Sequence, residues 1–460
     1  MSLVGGASAV PSSPSSVSTS VPPSLRSMSK LVSPFGLVST LTWLPVAEGE
    51  PEFAVYSGSL GNPGAALTSH GDWVNDPVAG NFDGAGGALD HDLAAHLAVA
   101  ESLERYSSCV WRDDQLIWAT ADELGEDAIA PARWPQCSPS ELADPRSGLV
   151  ASDPALPLRW ASCWSLTRRR PVYVPASQIY LRFPPESAAE RYLHPVSTGC
   201  AAHTDPVEAV VNGLCEVVER DSIALTWLQR MPLPRLDFTL HDLVGDDRAF
   251  VQRGLSGDVT THLFDATTDL GIPVLYAVQT SEYDAALAQL VVATCTPDPG
   301  RGLAKLFREA ASLRIALRAA AAGQRPDAPP VEDSMSVIGG ALEAGSRERR
   351  DRFDFLLEAD RPHHRLADLP RPERPQAALP WLLDRLHAAG CEVVVADLTT
   401  DEARQVGAHV VRVLVPELMP LSFAHRARYL AHPRLYEAPA ALGHRVHREP
   451  ELNPHPQPFA

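Results

Sequence analysis

The sequence predicts an α/β fold: mixed β-sheets with flanking helices in one large domain. Two observations predict it. Apolar residues make up 45% of the 460, enough to bury a large core. Helical periodicity also alternates with short strand-like runs along the chain, most regularly after residue 378. No run approaches the 18 apolar residues of a membrane span. The 42 prolines and 29 glycines fit many loops and not a fibrous repeat.

Residues 1–30 are rich in Ser, Pro and Val and lack the charged start and apolar block of a signal peptide. They read as a disordered tail, with ordered structure from about Leu31. A short run from Ala54 reads as strand, and the Gly/Asn/Asp-rich stretch 58–87 as strands joined by loops. Asp90 is placed to cap a helix whose apolar face is Leu93, Leu97, Val99 and Leu103, running to Cys109. Pro/Asp-rich linkage covers 120–170, and strands are expected at 172–174 and 179–183. The next helix is the best signalled. Asp205 caps it, Pro206 suits its first position, Glu208 completes a capping box, and it runs to about Leu228.

Further strands are expected at 260–264, 274–278 and 289–295, and then a helix at 301–321. Residues 333–352 read as loop. A helix at 378–389, a strand at 392–398, a short helix from Asp401 and a strand at 408–415 follow. From Asn453 to Ala460, alternate prolines forbid a helix or central strand and favour extended polyproline II. The domain is therefore expected over 31–450, with a proline-rich tail at 451–460.

The net charge is −18. Such an acidic body repels a phosphate backbone, so no nucleic-acid partner is expected; a nucleotide remains compatible if divalent cations neutralise the acids around it. The seven cysteines are odd in number and none shows C-x-x-C spacing. A disulfide framework or zinc site is not expected, and a reducing cytoplasm is. No membrane association is expected.

Two helices carry the same pentad, Glu-x-x-Glu-Arg: Glu101, Glu104 and Arg105, then Glu216, Glu219 and Arg220. Spacings of three and four put each set on one helix face, and Glu208 and Asn212 extend the second row. Such rows repel themselves by ~0.2–0.5 kcal/mol per exposed pair. Bringing two rows together is unfavourable without cations; magnesium held by the carboxylates and ligand phosphates would resolve the conflict, with the arginines meeting the phosphate charge. Taken singly, each pentad is compatible with a solvated helix face.

Longer motifs add to this. Ser197-Thr-Gly-Cys-Ala-Ala202, then Glu208, then Glu216-Val-Val-Glu-Arg-Asp221 resembles the central signature of the YcaO superfamily. Gly84-Ala-Gly-Gly-Ala-Leu-Asp90 through Glu101-Ser-Leu-Glu-Arg-Tyr-Ser107 is similar to its first ATP-binding block, and Leu303-Ala-Lys-Leu-Phe-Arg-Glu309 through Arg314 to its third. Tyr429-Leu-Ala-His-Pro-Arg-Leu-Tyr436 is similar to a late block of azoline-forming members. The resemblance implies the YcaO fold and ATP binding without a P-loop. In agreement, the only lysines are Lys30 and Lys305, neither following glycine.

It further implies that Glu101, Glu104, Glu216 and Glu219 hold magnesium. These four, with Arg105, Glu208, Arg220 and Glu309, would bind the nucleotide. The sequence departs from the family pattern at Ala85, where many relatives have lysine, at Thr204, which is Asn in some members, and at Ser312, where glutamine is frequent.

The implied activity is ATP- and Mg-dependent cyclodehydration of Cys, or Ser/Thr, in a ribosomally made precursor peptide. The products would be the thiazoline and oxazoline precursors of thiazole/oxazole-modified peptides. In ring-forming members a C-terminal Pro-x-Pro-x-Pro reaches the active site; Pro454, Pro456 and Pro458 match it, with Phe459 and Ala460 beyond. No segment resembles the ThiF-like, leader-binding domain, so a separate partner protein is expected to present the peptide, and a homodimer is common in the family. Two alternatives stay open: the same chemistry with sulfide or an amine, giving thioamides or amidines, and a non-catalytic scaffold.

Overall fold

The computed structural model describes residues 21–61, 83–323, 331–333 and 335–460. Its strands are β1 (Thr40–Trp43), β2 (Ala54–Ser59), β3 (Gly84–Ala88), β4 (Leu116–Ala119), β5 (Leu158–Ser165), β6 (Arg170–Pro175) and β7 (Cys200–His203). They continue with β8 (Arg235–Asp237), β9 (Val259–Asp265), β10 (Val274–Ser281), β11 (Gln289–Cys295), β12 (His363–Arg365), β13 (Val394–Asp397) and β14 (His409–Leu414). Three sheets result. β1-β2-β3 is one, β11-β10-β9-β8-β12 the second, and β4-β5-β13-β14-β7, with β6 also on β5, the third. Pairing is antiparallel except between β12 and β8.

Three long helices tie the sheets together. The first, His91–Ser107, packs on β2, β3 and β7. The central one, Pro206–Gln229, lies between β7 and β14 on one side and β10 and β11 on the other. The third, Pro299–Ala322, packs on β3, β10 and β11. The largest core therefore surrounds the central helix: Leu214, Val218, Ile223 and Trp227 meet Val411 and Val413 on one side and Tyr276, Val291 and Ala293 on the other.

Glycine makes this closeness possible. A Cβ on Gly84 would lie 2.3 Å from the Ser102 nitrogen, and one on Gly86 2.1 Å from the Ala94 oxygen. β3 thus lies flat against the first helix, locked by the Gly84 N–H donated to Ser102 Oγ at 3.1 Å. Gly199, at φ +88°, would place a Cβ 2.0 Å from the Val413 oxygen, so only glycine fits where the loop before β7 crosses β14.

Several elements differ from expectation. The chain is structured ahead of Leu31: Arg26–Leu31 is a 3-10 helix with Met28 fully buried, because an apolar residue in a Ser-rich run found a core to enter. Residues 1–20 of the expected tail, and 62–82 of the glycine-rich stretch, lie outside the described residues. The Pro/Asp-rich region contains an eight-residue strand, β5. Where a second strand was expected at 179–183, the helical turn Ala176–Ile179 ends and the chain continues as bend and turn. The supposed loop 333–352 contains the helix Gly339–Gly345.

Glu208 forms no capping box. Asp205 accepts the Val207 and Glu208 N–H groups at 2.8 and 3.3 Å, but the Asp205 N–H already donates to His203 Nδ1 at 2.9 Å. The donor that Glu208 would have reached back for is taken.

The proline-rich tail is built into the fold. Asn453 donates its N–H to the Leu228 carbonyl at 2.9 Å and its side-chain amide to the Trp227 carbonyl at 3.1 Å. Trp227 Nε1 donates to the His455 carbonyl at 3.2 Å. Phe459 is buried edge-on against Tyr276, ring centroids 5.5 Å apart. All seven cysteines are free and buried. Among the described residues no helix is long and apolar enough to cross a membrane.

Candidate functional site

The two pentads meet. The capped first helix brings Glu101 and Glu104 beside β3 and β7, and the central helix brings Glu216 and Glu219 beside β7 and β11. Each of the four carboxylates accepts one backbone N–H from a different segment: Glu101 from Ala85 at 2.8 Å, Glu104 from Ala202 at 3.3 Å, Glu216 from Gly199 at 3.0 Å and Glu219 from Cys295 at 2.9 Å. One oxygen of each is thereby anchored, and the charge is left to face its neighbours.

The electrostatics follow from this crowding. Burial, then the charges of Glu216 and Glu101, push the Glu104 carboxyl well above the usual range. Burial lifts Glu219 to about 7 against the pull of Lys305 and Arg220, with Glu309 and Glu216 adding to the rise. Two buried carboxylates that resist ionisation, each under the charge of Glu216, form a site short of positive charge.

The basic groups present do not supply it fully. Arg105 grips Glu101 at 2.6 Å, but Arg220 stands 3.5 Å from Glu216 and 3.7 Å from Glu219. Lys305 is 4.0 Å from Glu219 and 3.4 Å from Glu309, and Arg308 is 3.8 Å from Glu309. These are ion pairs at the long end of contact, with the Arg220–Glu216 hydrogen bond at its outer limit.

The structure thus brings together Glu101, Glu104, Arg105, Glu216, Glu219, Arg220 and Glu309. Glu208 does not join them: it is half-buried, two turns before Glu216, and its carboxylate makes no hydrogen bond or ion pair among the described residues. Lys305 is the member that motif reasoning missed. Its i,i+4 spacing to Glu309 on an expected helix was the available signal.

Of the departures, Ala85 supplies the N–H that holds Glu101. Ser312 Oγ donates to the Arg308 carbonyl at 3.3 Å and would lie 2.8 Å from a Cβ on Gly87. Small residues there keep β3 and the third helix close. Thr204 sits half-buried in the turn before the central helix.

The tail residues occupy the other end of the same helix. Pro456 and Pro458 are buried and Pro454 is exposed. Pro456 and Gln457 line a cavity with Ala224, Trp227 and Leu228. Ala224 is four residues past Arg220, about 6 Å along the axis on the same face.

Does the donor set suit magnesium? No three His, Cys, Asp or Glu side chains among the described residues already converge on one point. The carboxylates stand instead as neighbouring pairs, as like charges do without a cation between them. Hard oxygen donors, raised carboxyl pKa values and Arg and Lys in long, loose ion pairs fit Mg²⁺ accompanied by phosphates.

Fold and site together define an α/β protein with a carboxylate-lined magnesium–nucleotide site and no P-loop. The family model for YcaO cyclodehydratase, ATP- and Mg²⁺-binding, matches residues 85–419, and the chain belongs to this family.

Among its relatives, an uncharacterized protein in the tfuA 3′ region of Rhizobium leguminosarum bv. trifolii is 29% identical over 356 residues, 73% of this chain and 76% of that one. An uncharacterized protein of Methanothermobacter thermautotrophicus is 27% identical over 342 residues, 73% of this chain and 81% of that one.

Similar solved structures include a heterocyclase in complex with substrate and cofactor, with TM-score 0.75 and 23% identity over 95% of this chain. This chain spans 57% of that heterocyclase's length. YcaO from Methanopyrus kandleri, bound with AMPPCP and Mg²⁺, gives a TM-score of 0.57 at 21% identity, covering 83% of this chain and 86% of that one. These likenesses show the fold.

Proposed function

We propose that this chain uses ATP and Mg²⁺ to cyclodehydrate Cys, or Ser/Thr, residues of a ribosomally made precursor peptide to thiazoline or oxazoline. The observation that carries the reading is the meeting of the two acidic helix faces, with Arg220 and Lys305 held to them only by long ion pairs. Bound ATP supplies the phosphoryl group that turns the amide oxygen into a leaving group, and Mg²⁺ supplies the charge that lets carboxylates and triphosphate share the site.

Glu101, Glu104, Glu216 and Glu219 would hold the cations. Arg105, Arg220 and Lys305 would meet phosphate and offset charge that grows during transfer. In the substrate, the side-chain sulfur or oxygen bonds to the preceding carbonyl carbon. The carbonyl oxygen is phosphorylated and departs as phosphate, and the S–H or O–H proton and the amide proton are both lost, for a net loss of water.

The tail favours ring formation over attack by an external sulfide or amine. Pro456 and Pro458 are packed along the helix that carries Glu216 and Arg220, which suits a wall that holds the peptide against the site. A separate ThiF-like, leader-binding partner would present the peptide, and the enzyme would work in the cytoplasm, in keeping with seven free cysteines. A homodimer is part of the same proposal.

The test is mass spectrometry of a candidate precursor incubated with this protein, its partner and ATP. Loss of one water per ring supports the reading. Exchange of oxygen for sulfur or nitrogen would move it to thioamide or amidine formation, and an unchanged peptide with no ATP turnover would leave a scaffold.

A further inference from the structure

We propose that the cavity beside the C-terminal tail seats the attacking side chain of the peptide, and that His425 takes the proton from its thiol or hydroxyl. This rests on the cyclodehydratase reading above.

The cavity is walled by Ala224, Trp227, Phe423, His425, Arg428 and Pro456, among others, and holds about 30 Å³ of free space. One water needs ~10–15 Å³ on this measure, so the space fits two or three heavy atoms. That is the size of a CH₂–SH or CH₂–OH head.

Both walls are fixed to the segment carrying the phosphate-facing arginine. Ala224 and Trp227 continue the helix face of Glu216 and Arg220. The other wall, from Pro420 to Arg428, begins directly after Met419, whose N–H is held by the carboxylate of Asp221 at 2.8 Å. Asp221 adjoins Arg220 and is itself fixed by Arg434 through two contacts of 2.7 Å. A side chain seated here therefore lies one to two helical turns, ~6–10 Å, along the same helix from Arg220.

Neither ring nitrogen of His425 has a hydrogen-bond partner among the described residues, and Nδ1 is shut from solvent. A second unpartnered group, Arg428 Nε, is buried beside the same cavity. Buried polar atoms are rarely left so, and two on one cavity call for a ligand that bears hydrogen-bonding atoms.

The groups around His425 set its charge. Burial, then Arg428 and Arg426, and more weakly His455, push its pKa down to about 4, while Glu343 pulls the other way. At neutral pH the ring is uncharged with its lone pair available, but the arginines disfavour the imidazolium, so the proton moves only in concert with formation of the new bond and passes on at once.

The step balances without further reagents. The S–H or O–H proton passes to the imidazole as the sulfur or oxygen bonds to the carbonyl carbon. The carbonyl oxygen gains the electron pair and takes the γ-phosphoryl group as its bond to ADP breaks. The imidazolium then returns its proton to solvent.

The experiment uses the full chain, its partner, ATP and Mg²⁺ with two synthetic precursors differing only in Cys or Ser at the ring position. In His425→Gln and His425→Asn, turnover of the Ser peptide should fall about 100-fold or more. The Cys peptide should lose less, about tenfold, because a thiol ionises more readily unaided. Mg·AMPPCP affinity should stay within about twofold and Tm should not drop, since each variant puts an amide into a polar cavity.

Unchanged turnover of both peptides would overturn the base role, as would a loss matched by weaker nucleotide binding or by unfolding. If the wild-type protein dehydrates neither peptide while still binding Mg·AMPPCP, the cyclodehydratase reading fails and takes this inference with it.

Discussion

Two kinds of carboxylate–arginine cluster occur in this molecule, and they are built differently. In the structural kind, Glu50 meets Arg314 and Arg318 at 2.7 and 2.6 Å, and Glu190 meets Arg159 at 2.8 and 2.9 Å. Burial pushes both carboxyls up, yet the arginine hydrogen bonds outweigh it and hold them below the usual range. At the candidate site, burial wins. Glu104 and Glu219 stay raised, and the cations around Glu219 stand at 3.7 and 4.0 Å. Satisfied pairs close a fold, whereas frustrated ones need something the chain does not contain.

The largest effect separating the two kinds should come from Glu216→Gln or Glu219→Gln. Removing a cation ligand should lower ATP-dependent dehydration at least ~1000-fold, the scale of losing charge stabilisation at a reacting centre. Tm of the ligand-free protein should hold or rise, because Gln relieves a crowded carboxylate. Unchanged turnover would remove these residues from the site.

Glu190→Gln should do the reverse. Arg159 would keep Glu186 at 2.6 Å but lose its buried counter-charge, which should cost about 1.5–3 kcal/mol, read by denaturant unfolding, with Mg·AMPPCP affinity unaltered. A variant as stable as the wild type would erase the contrast.

pH supplies a subtler contrast. Glu219, raised to about 7, holds a proton in the folded state that the unfolded state has lost above pH 4.5. Its contribution to ligand-free stability is therefore present at low pH and is lost as pH rises through 7. Glu50, lowered, behaves oppositely: its contribution is present above its unfolded pKa and is lost as pH falls. Mg·AMPPCP affinity should then weaken as pH drops below 7, by up to ~10-fold per unit, as calorimetry would detect. A flat profile between pH 6 and 8 would mean that Glu219 titrates elsewhere.

The smallest effect is expected at Glu208. With no partner and half exposed, its change to Gln should alter nucleotide affinity by about fivefold at most, the value of an exposed charge. A loss comparable to that of Glu216→Gln would show that the ligand draws it in.

The sequence exposed the site more clearly than the sheets. Spacings of three and four reveal a helix face directly, so Glu101, Glu104, Glu216 and Glu219 were visible as two rows. Their meeting depends on partners far apart in sequence, the Ala85, Ala202, Gly199 and Cys295 N–H groups, and no local pattern encodes these. Glu208 was misjudged as a capping-box residue because His203 competes for the same donor. β3 lay in the stretch 58–87 read as strands joined by loops but was not located within it, because glycine disfavours strands when nothing approaches closely; here a helix does. β5, Leu158–Ser165, mixes polar and apolar residues on both faces and so lacks a clean alternation. The tail's prolines were legible as extended chain, but burial of Phe459 against Tyr276 was not, since nothing local marks its destination.

The flat glycine strand on the first helix has one more consequence. β3 and that helix touch backbone to backbone, so no side chain between them can be enlarged or trimmed to retune the wall. Within β3 only Ala85 turns its side chain to solvent. Variation that reshapes this side of the pocket without dislodging Glu101 is therefore confined to that position, while the opposite wall, made of ordinary side chains on the third helix, is free to diversify.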